Sequence, residues 1–275
     1  MSDLVGFEQV YEHIRELVDS KLSNFDQNNQ SRSQFCELEL RLGKIEANAN
    51  KKNRFSPGVD AQLFFAVEAM LLRGNWNVIH KWTHVTDSFH KPDEVLHKPE
   101  EATMNEVGKS NKYDSLRISN IDGCLQKHVL KKTLKQITMK NVGDEVNSFD
   151  LRISLALENE VTPDQLKIIS KPFMVRIKHR KSFFLVEDVY FKSQKFSLFF
   201  RYDLTLIWEG DEIPETERKQ LEDREPSSYE IEVELDHITP KEQISSQVVD
   251  YVTESFVKKI SDLVSVKSCF ISVNQ

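Results

Sequence analysis

Two segments of this chain place glutamates on alternate residues: Glu37-Leu38-Glu39-Leu40-Arg41 near the start and Glu230-Ile231-Glu232-Val233-Glu234 near the end. Successive side chains of an extended strand point to opposite faces. Glu37, Glu39 and Arg41 therefore share one face, and Leu38, Leu40 and Leu42 the other. Glu230, Glu232 and Glu234 oppose Ile231, Val233 and Leu235 in the same way. Between these segments, Arg176, Lys178 and Arg180 share a face against Val175 and Ile177, and Arg201, Asp203 and Thr205 oppose Tyr202, Leu204 and Leu206. A sheet with one solvated face accounts for any one such strand. It does not account for the set, because adjacent glutamates on one face repel and have poor strand propensity. A divalent cation relieves that repulsion. Hard ions take carboxylate oxygens and keep positions free for water and a phosphate oxygen. Lysines and arginines facing the carboxylates then bind the rest of a polyphosphate.

The distribution of charge agrees with this chemistry. The net charge is −7, which excludes a broadly basic surface for nonspecific nucleic-acid binding. From Lys171 to Thr205 eight basic residues stand against three acidic ones, whereas from Glu209 to Glu242 thirteen acidic residues stand against four basic ones. Cationic and anionic strands in one fold suit a site that takes both metal and phosphate. Cys36, Cys124 and Cys269 lie far apart without CxxC spacing, so neither a disulfide framework nor a zinc ribbon is read from them. No apolar run approaches the roughly 18 residues of a membrane span, and no basic cluster followed by an apolar block opens the chain. The expectation is a soluble intracellular protein with no membrane partner.

The elements that position these strands are legible from periodicity. Phe7, Val10, Ile14, Leu17, Val18 and Leu22 recur at helical spacing. Ser56-Pro57 reads as the cap of a second helix carrying Val59, Leu63, Val67, Met70 and Leu71 and ending near Gly74. Thr239, Pro240 and Glu242 read as a capping box ahead of Ile244, Val248, Val252, Phe256, Ile260 and Leu263, and Thr162, Pro163 and Gln165 as the start of a short fourth helix. Strands are expected over 35–46, 76–85, 115–121, 126–139, 149–158, 173–186, 190–208 and 229–236. Segments 90–112 and 210–228 are rich in charges and turn formers without period and read as exposed loops. The expected fold is α+β, mainly β: one domain over 1–275, in which an antiparallel sheet closes into an eight-stranded barrel. Its charged face lines the lumen and its leucine face packs against outer helices.

These motifs resemble the fungal and protozoan type of mRNA capping RNA 5′-triphosphatase, within the triphosphate tunnel metalloenzymes. Glu37-Leu38-Glu39 with Gly43 resembles the family's first glutamate motif, and Glu230-Ile231-Glu232-Val233-Glu234 its last. Phe149-Asp150-Leu151-Arg152-Ile153-Ser154-Leu155-Ala156-Leu157-Glu158 resembles its D-R-I-S-L-x-L-E strand. Arg176-Ile177-Lys178-His179-Arg180-Lys181-Ser182 resembles R-x-K-x-R-x-S, and Arg201-Tyr202-Asp203-Leu204-Thr205 resembles R-x-D-L-T. Order and spacing agree along nearly the whole chain.

The resemblance implies hydrolysis of the γ-phosphate of 5′-triphosphate RNA to leave a 5′-diphosphate end, with Mn2+ or Mg2+ as cofactor. Glu37, Glu39 and Glu234 would hold the metal. Arg117, Lys131, Arg176, Lys178, Arg180 and Arg201 would grip phosphate oxygens. Glu158, Glu230 and Glu232, with Arg180, would form the catalytic set, the glutamates positioning the attacking water or orienting the basic residues. The implied partners are the 5′ end of nascent RNA and a separate guanylyltransferase, and the implied location is the nucleus. Three positions depart from the family pattern: Thr133 stands where an arginine is common, His179 where an acidic residue is usual, and Arg41 where a lysine is.

Other readings compete with this one. The same tunnel could take inorganic polyphosphate, a free nucleoside triphosphate or thiamine triphosphate, or bind polyanions without cleaving them. Intact glutamates on both outer strands count against a pure anion binder. His80 and His84 have HxxxH spacing, but on a strand residues four apart stand ~13 Å from one another and do not share a zinc ion. The aromatic run from Phe196 to Tyr202 is expected to pack in the core rather than to stack bases. Asn120-Ile121-Asp122-Gly123 lacks the lysine of a nucleotidyl transferase nucleophile, so no guanylyltransferase is expected in the chain.

Overall fold

Alternation of leucine with charge becomes strand β1 (Gln34–Glu46), and the glutamate-rich alternation near the end becomes β10 (Ser228–Thr239). Between them lie β2 (Arg54–Pro57), β3 (Val78–Ile79), β4 (Thr83–His90), β5 (Ser115–Ile121), β6 (Leu125–Val142), β7 (Phe149–Glu160), β8 (Met174–Phe191) and β9 (Gln194–Gly210). The computed structural model describes residues 7–27, 34–46, 54–74, 78–79, 82–92, 114–142, 149–166, 171–191, 193–210, 224–239 and 245–271. Eight strands pair in the order β10-β9-β8-β4-β5-β6-β7-β1, and β1 pairs again with β10, which closes the ring. Every pairing is antiparallel, as the period-two patterns require. β2 and β3 are short additions on β1 and β8.

Helices α1 (Phe7–Gln27) and α3 (Ser246–Ile271) cover the outside of the β1 to β9 side of the ring. The stripe Val10, Ile14, Leu17, Val18 and Leu22 is buried on α1, and Val248, Val252, Phe256, Ile260 and Leu263 on α3. They meet Leu38, Leu40, Leu42, Phe200, Leu204, Val233 and Leu235, the apolar sides of the strands whose other sides are charged. Each fully buried side chain of this size contributes about 1.5–3 kcal/mol relative to exposure, so this outer layer is where the fold gains its stability. A second cluster, Leu116, Ile118, Leu130 and Leu166, covers β5 and β6.

Several boundaries differ from the expected ones. Ser56 and Pro57 belong to β2, and helix α2 (Ala61–Arg73) starts four residues later, with the Asp60 carboxylate accepting from the Leu63 amide. Pairing with β1 takes Arg54–Pro57 out of reach of the helix, and Asp60 is as good a cap as serine. Strand β4 starts at Thr83 and runs on to His90, because β5 and β8 both pair with it. The turn at Thr162 is a single 3-10 turn, Pro163–Gln165, closed by the Thr162 amide donating to the Gln165 side chain. Thr239 ends β10, and residues 240–244, which carry the rest of the expected capping box, lie outside the described residues. The same is true of His80 and of most of the two expected loops.

Gly43 is where β1 receives β2 on its edge: a Cβ there would overlap the Ser56 carbonyl oxygen and the Phe55 ring. Gly43→Ala should therefore destabilise the protein by about 1–3 kcal/mol, the usual cost of forced overpacking. Urea unfolding of the variant against wild type measures it; an unchanged midpoint would mean that β2 moves aside freely.

Candidate active site

The ring's interior is charged because each strand turns its polar alternates inward. Register brings Glu39 opposite Glu234 and Arg41 opposite Glu232 across the closing pair. It also sets Arg201 opposite Glu234, Asp203 opposite Glu232, and Arg180 opposite Thr205. These side chains surround a cavity of about 370 Å³. Of the residues singled out from sequence, Glu37, Glu39, Glu158, Glu232, Glu234, Arg117, Lys178, Arg180 and Arg201 line it.

Lys131 reaches the same carboxylates from β6: its Nζ pairs with Glu37 and stands 3.5 Å from Glu158 and 3.8 Å from Glu39. Glu230 is held behind Arg41, 3.6 Å from its guanidinium. Arg176 does not line the cavity. It pairs with Glu209 at 2.6 Å and lies over the Phe89 ring, because it sits at the far end of β8.

Several interior residues had no role in the sequence reading. Arg41 is clamped among Glu39, Glu232 at 3.0 Å and Glu230. Asp203 accepts from Ser182 at 2.6 Å and pairs with Arg180 and Arg201, each at 3.2 Å. Asp87 accepts from Ser119 at 2.6 Å and pairs with Lys178 at 2.7 Å. Alternation puts Arg41 and Asp203 on the charged faces of their strands but gives them no role. It does not place Asp87, because Thr86 to Ser88 carry no apolar alternation.

Burial and charge divide the carboxylates into two groups. Burial, reinforced by Glu39 and Glu158, pushes Glu37 up against the opposing pull of Lys131. Burial also raises Glu234 to about 8, with Glu37 adding to it and Arg201 opposing. Burial acts on Glu232 too, but Arg41 and Arg180 outweigh it and hold that group at about 2. Arg41 likewise outweighs burial at Glu39.

Among the described residues no group of three or more His, Cys, Asp or Glu side chains is gathered around a common point suited to a metal ion. Lys131 and Arg201 sit on Glu37 and Glu234. The donor set nonetheless fits a hard divalent ion: buried carboxylate oxygens from β1 and β10 whose mutual repulsion local cations relieve only in part. The interior also holds donors with nothing to donate to. The Nε atoms of Arg117 and Arg180 are buried without a hydrogen-bond partner, as is the Thr205 hydroxyl. Buried donors left this way are costly, and an anion in the cavity would satisfy them.

A closed antiparallel ring with carboxylates and guanidinium groups facing one cavity is the construction of a triphosphate-tunnel phosphohydrolase. A family profile described as mRNA capping enzyme, beta chain, matches residues 4–266. The chain belongs to that family, whose members are RNA 5′-triphosphatases. No curated relative matches it. Among solved structures it resembles the S. pombe Pct1 RNA triphosphatase, with a TM-score of 0.58 at 14% identity over 93% of this chain and 92% of that one. It resembles Pct1 in complex with the Spt5 CTD with a TM-score of 0.55 at 16% identity, covering 92% and 93% of the two chains. The Mimivirus capping enzyme triphosphatase gives 0.52 at 15% identity, covering 94% and 98%. At these identities the likeness establishes the fold. No helix among the described residues is long and apolar enough to cross a membrane.

Burial alone would raise the Asp87 carboxyl; Lys178, Arg117 and the Ser119 hydroxyl outweigh it and hold it at about 2. Lys178 is itself lowered, since burial costs it more than Asp87 returns, so the pair as a whole stabilises less than Asp87 taken singly. A depressed carboxylate contributes stability above its unfolded value, roughly pH 4, and loses it as the pH falls toward its folded value. Asp87→Asn should therefore lower Tm at pH 7, with the gap to wild type narrowing between pH 4 and 2. A gap independent of pH in thermal scans would show that the carboxylate's charge is not what matters there.

Proposed function

We propose that this single domain removes the γ-phosphate from the 5′-triphosphate end of nascent RNA, with Glu37, Glu39 and Glu234 as ligands of Mn2+ or Mg2+. The observation that carries this reading is the one cavity lined both by those three carboxylates and by Arg117, Lys178, Arg180 and Arg201. A bound Mn2+ or Mg2+ supplies Lewis-acid polarisation of a phosphate oxygen.

The cationic side chains neutralise charge that builds on the phosphoryl oxygens, and being fixed by β5, β8 and β9 they need no rearrangement as it develops. Asp203 holds Arg180 through a terminal nitrogen, which leaves the Arg180 Nε for a phosphate, and it faces the Nε of Arg201 at 3.2 Å. Lys131 and Glu158 support the grip: Glu158 lies 3.4 Å from Arg117 and 3.5 Å from Lys131. Glu232 reaches the cavity ionised, and its low pKa makes it a poor proton acceptor, so its part is to orient the attacking water. Glu230 acts through Arg41. Arg176, paired with Glu209 at the rim, is assigned an outer contact rather than a place on the reacting phosphate. A separate guanylyltransferase would take up the diphosphate product, which places the work in the nucleus.

Glu37→Ala, Glu39→Ala and Glu234→Ala should each abolish phosphate release from γ-labelled pppRNA while the fold persists, and EDTA should do the same to wild type. Near-normal turnover by any one variant removes that residue from the metal site. Running ATP and tripolyphosphate alongside tells an RNA enzyme from a general polyphosphatase.

Arg180→Lys keeps the charge and loses the planar two-donor grip, so kcat should fall by at least roughly tenfold, the value of about one lost charge-assisted hydrogen bond. Equal rates for the two proteins would mean that charge alone matters at this position.

A further inference from the structure

Beyond Glu234 strand β10 carries a bulge: Leu235 pairs with Phe200 and His237 with Phe199, leaving Asp236 unopposed. In strict alternation His237 would follow Leu235 to the helix-covered side. The extra residue reverses the phase, sending Ile238 into the core and His237 to the tunnel side. There its imidazole stacks on the Phe199 ring, with centroids 3.9 Å apart and planes at 12°. The Asp236 carboxylate, which lines the cavity, lies 3.0 Å from the His237 Nδ1 and holds the ring in place.

The bulge is propped from behind. Fully buried Lys21 on α1 donates to the carbonyls of Leu235 at 2.6 Å, Asp236 at 3.5 Å and Cys36 at 2.7 Å. The β1–β10 ladder ends at the Leu38–Leu235 pair, and the buried ammonium supplies the donor that carbonyls at its end lack. What the arrangement gains is the placement of Asp236 and His237 at the rim.

That rim is one end of the cavity, with Asp236 and Glu160 in its lining. At the opposite end Arg41 is clamped among three glutamates, and Arg176 and Glu209 pair across the strands. Phe199 shares the face of Arg201, two residues away, or about 7 Å along the strand. A nucleotide whose phosphates are held at Arg201 can therefore lay its base at Phe199. The other side of the same ribbon packs on α3 through Phe200 and Phe256, whereas the His237 side chain is 40% exposed. Asp236 and Glu160 line this end with one cation, Lys127, so the lining is acidic on balance and favours contact with a base face over a further phosphate.

We propose that the Phe199–His237 stack is a platform for the first base of a 5′-triphosphorylated RNA, fixing the nucleoside at this rim while its phosphates occupy the cavity. This rests on the triphosphatase reading for its substrate but not for its test. Stacking on an aromatic side chain is sequence-tolerant, which suits an enzyme that must accept whichever base begins a transcript.

Two measurements decide it. In Phe199→Leu and His237→Ala the ratio of kcat/KM for pppRNA to that for tripolyphosphate should fall by roughly 5- to 150-fold, the range one lost base stack produces. An unchanged ratio, whether neither rate moves or both fall together, overturns the platform. The second measurement needs no turnover: a 5′-diphosphate oligonucleotide with 2-aminopurine as its first base should lose fluorescence on binding wild type, and Phe199→Leu should abolish the quenching. No quenching by wild type overturns the proposal. If wild type releases no phosphate from pppRNA, the triphosphatase reading fails, and the quenching result alone then decides for or against the platform.

Discussion

Closing β1 onto β10 forces Glu39 against Glu234, next to the Arg41–Glu232 pair, in an interior that water screens poorly. Two like charges 4 Å apart repel by about 4 kcal/mol at an effective dielectric near 20. Without compensation this closure would not hold. The compensation comes from other strands: Lys131 on β6, and Arg180 and Arg201 on β8 and β9, together with Arg41 on β1 itself. Each strand's position is thus tied to the charges of its neighbours, and removing one cation leaves a buried carboxylate unpaired.

Such a network is at best near break-even for stability, since desolvation consumes much of what ion pairing returns. The fold is stabilised from outside, where α1 and α3 bury the leucine, valine and phenylalanine sides of the same strands. This division lets the interior be built for a ligand. Neutral, self-satisfied pairs would stabilise the ring as well or better, yet two arginine Nε donors, of Arg117 on β5 and Arg180 on β8, are left with no hydrogen-bond partner. Their alignment is fixed before any phosphate arrives, so binding need not order them.

The β1–β10 junction links the two layers. On its inner side stand the carboxylates that line the cavity, Glu37, Glu39, Glu232 and Glu234; on its outer side Lys21 of α1 binds the carbonyls of both strands. A helix that otherwise serves only as a cover is in this way attached to the backbone that aims Glu37 and Glu234. Cys36 and Leu235, which carry those carbonyls, are the immediate neighbours of Glu37 and Glu234 respectively.

Period-two alternation by itself determined the inward and outward faces of β1, β8, β9 and β10, and with them Glu37, Glu39, Glu232, Glu234, Lys178, Arg180 and Arg201, because alternation is a property of the extended backbone. The helical stripes of α1 and α3 were equally legible, since each is a local period matched to one buried face. What lay beyond it were features set by contact between distant segments. Ser56 and Pro57 carry a good capping signal, but β1 recruited them as a strand, and hydrogen bonding to β1 outweighed a preference worth about 1 kcal/mol. Asp87 acquired its importance only when β4 was placed between β5 and β8, opposite Ser119 and beside Lys178. The turn of His237 toward the tunnel rests on one unopposed residue in β10, and a bulge is decided by the register of the partner strand, which no run of residues on β10 alone encodes.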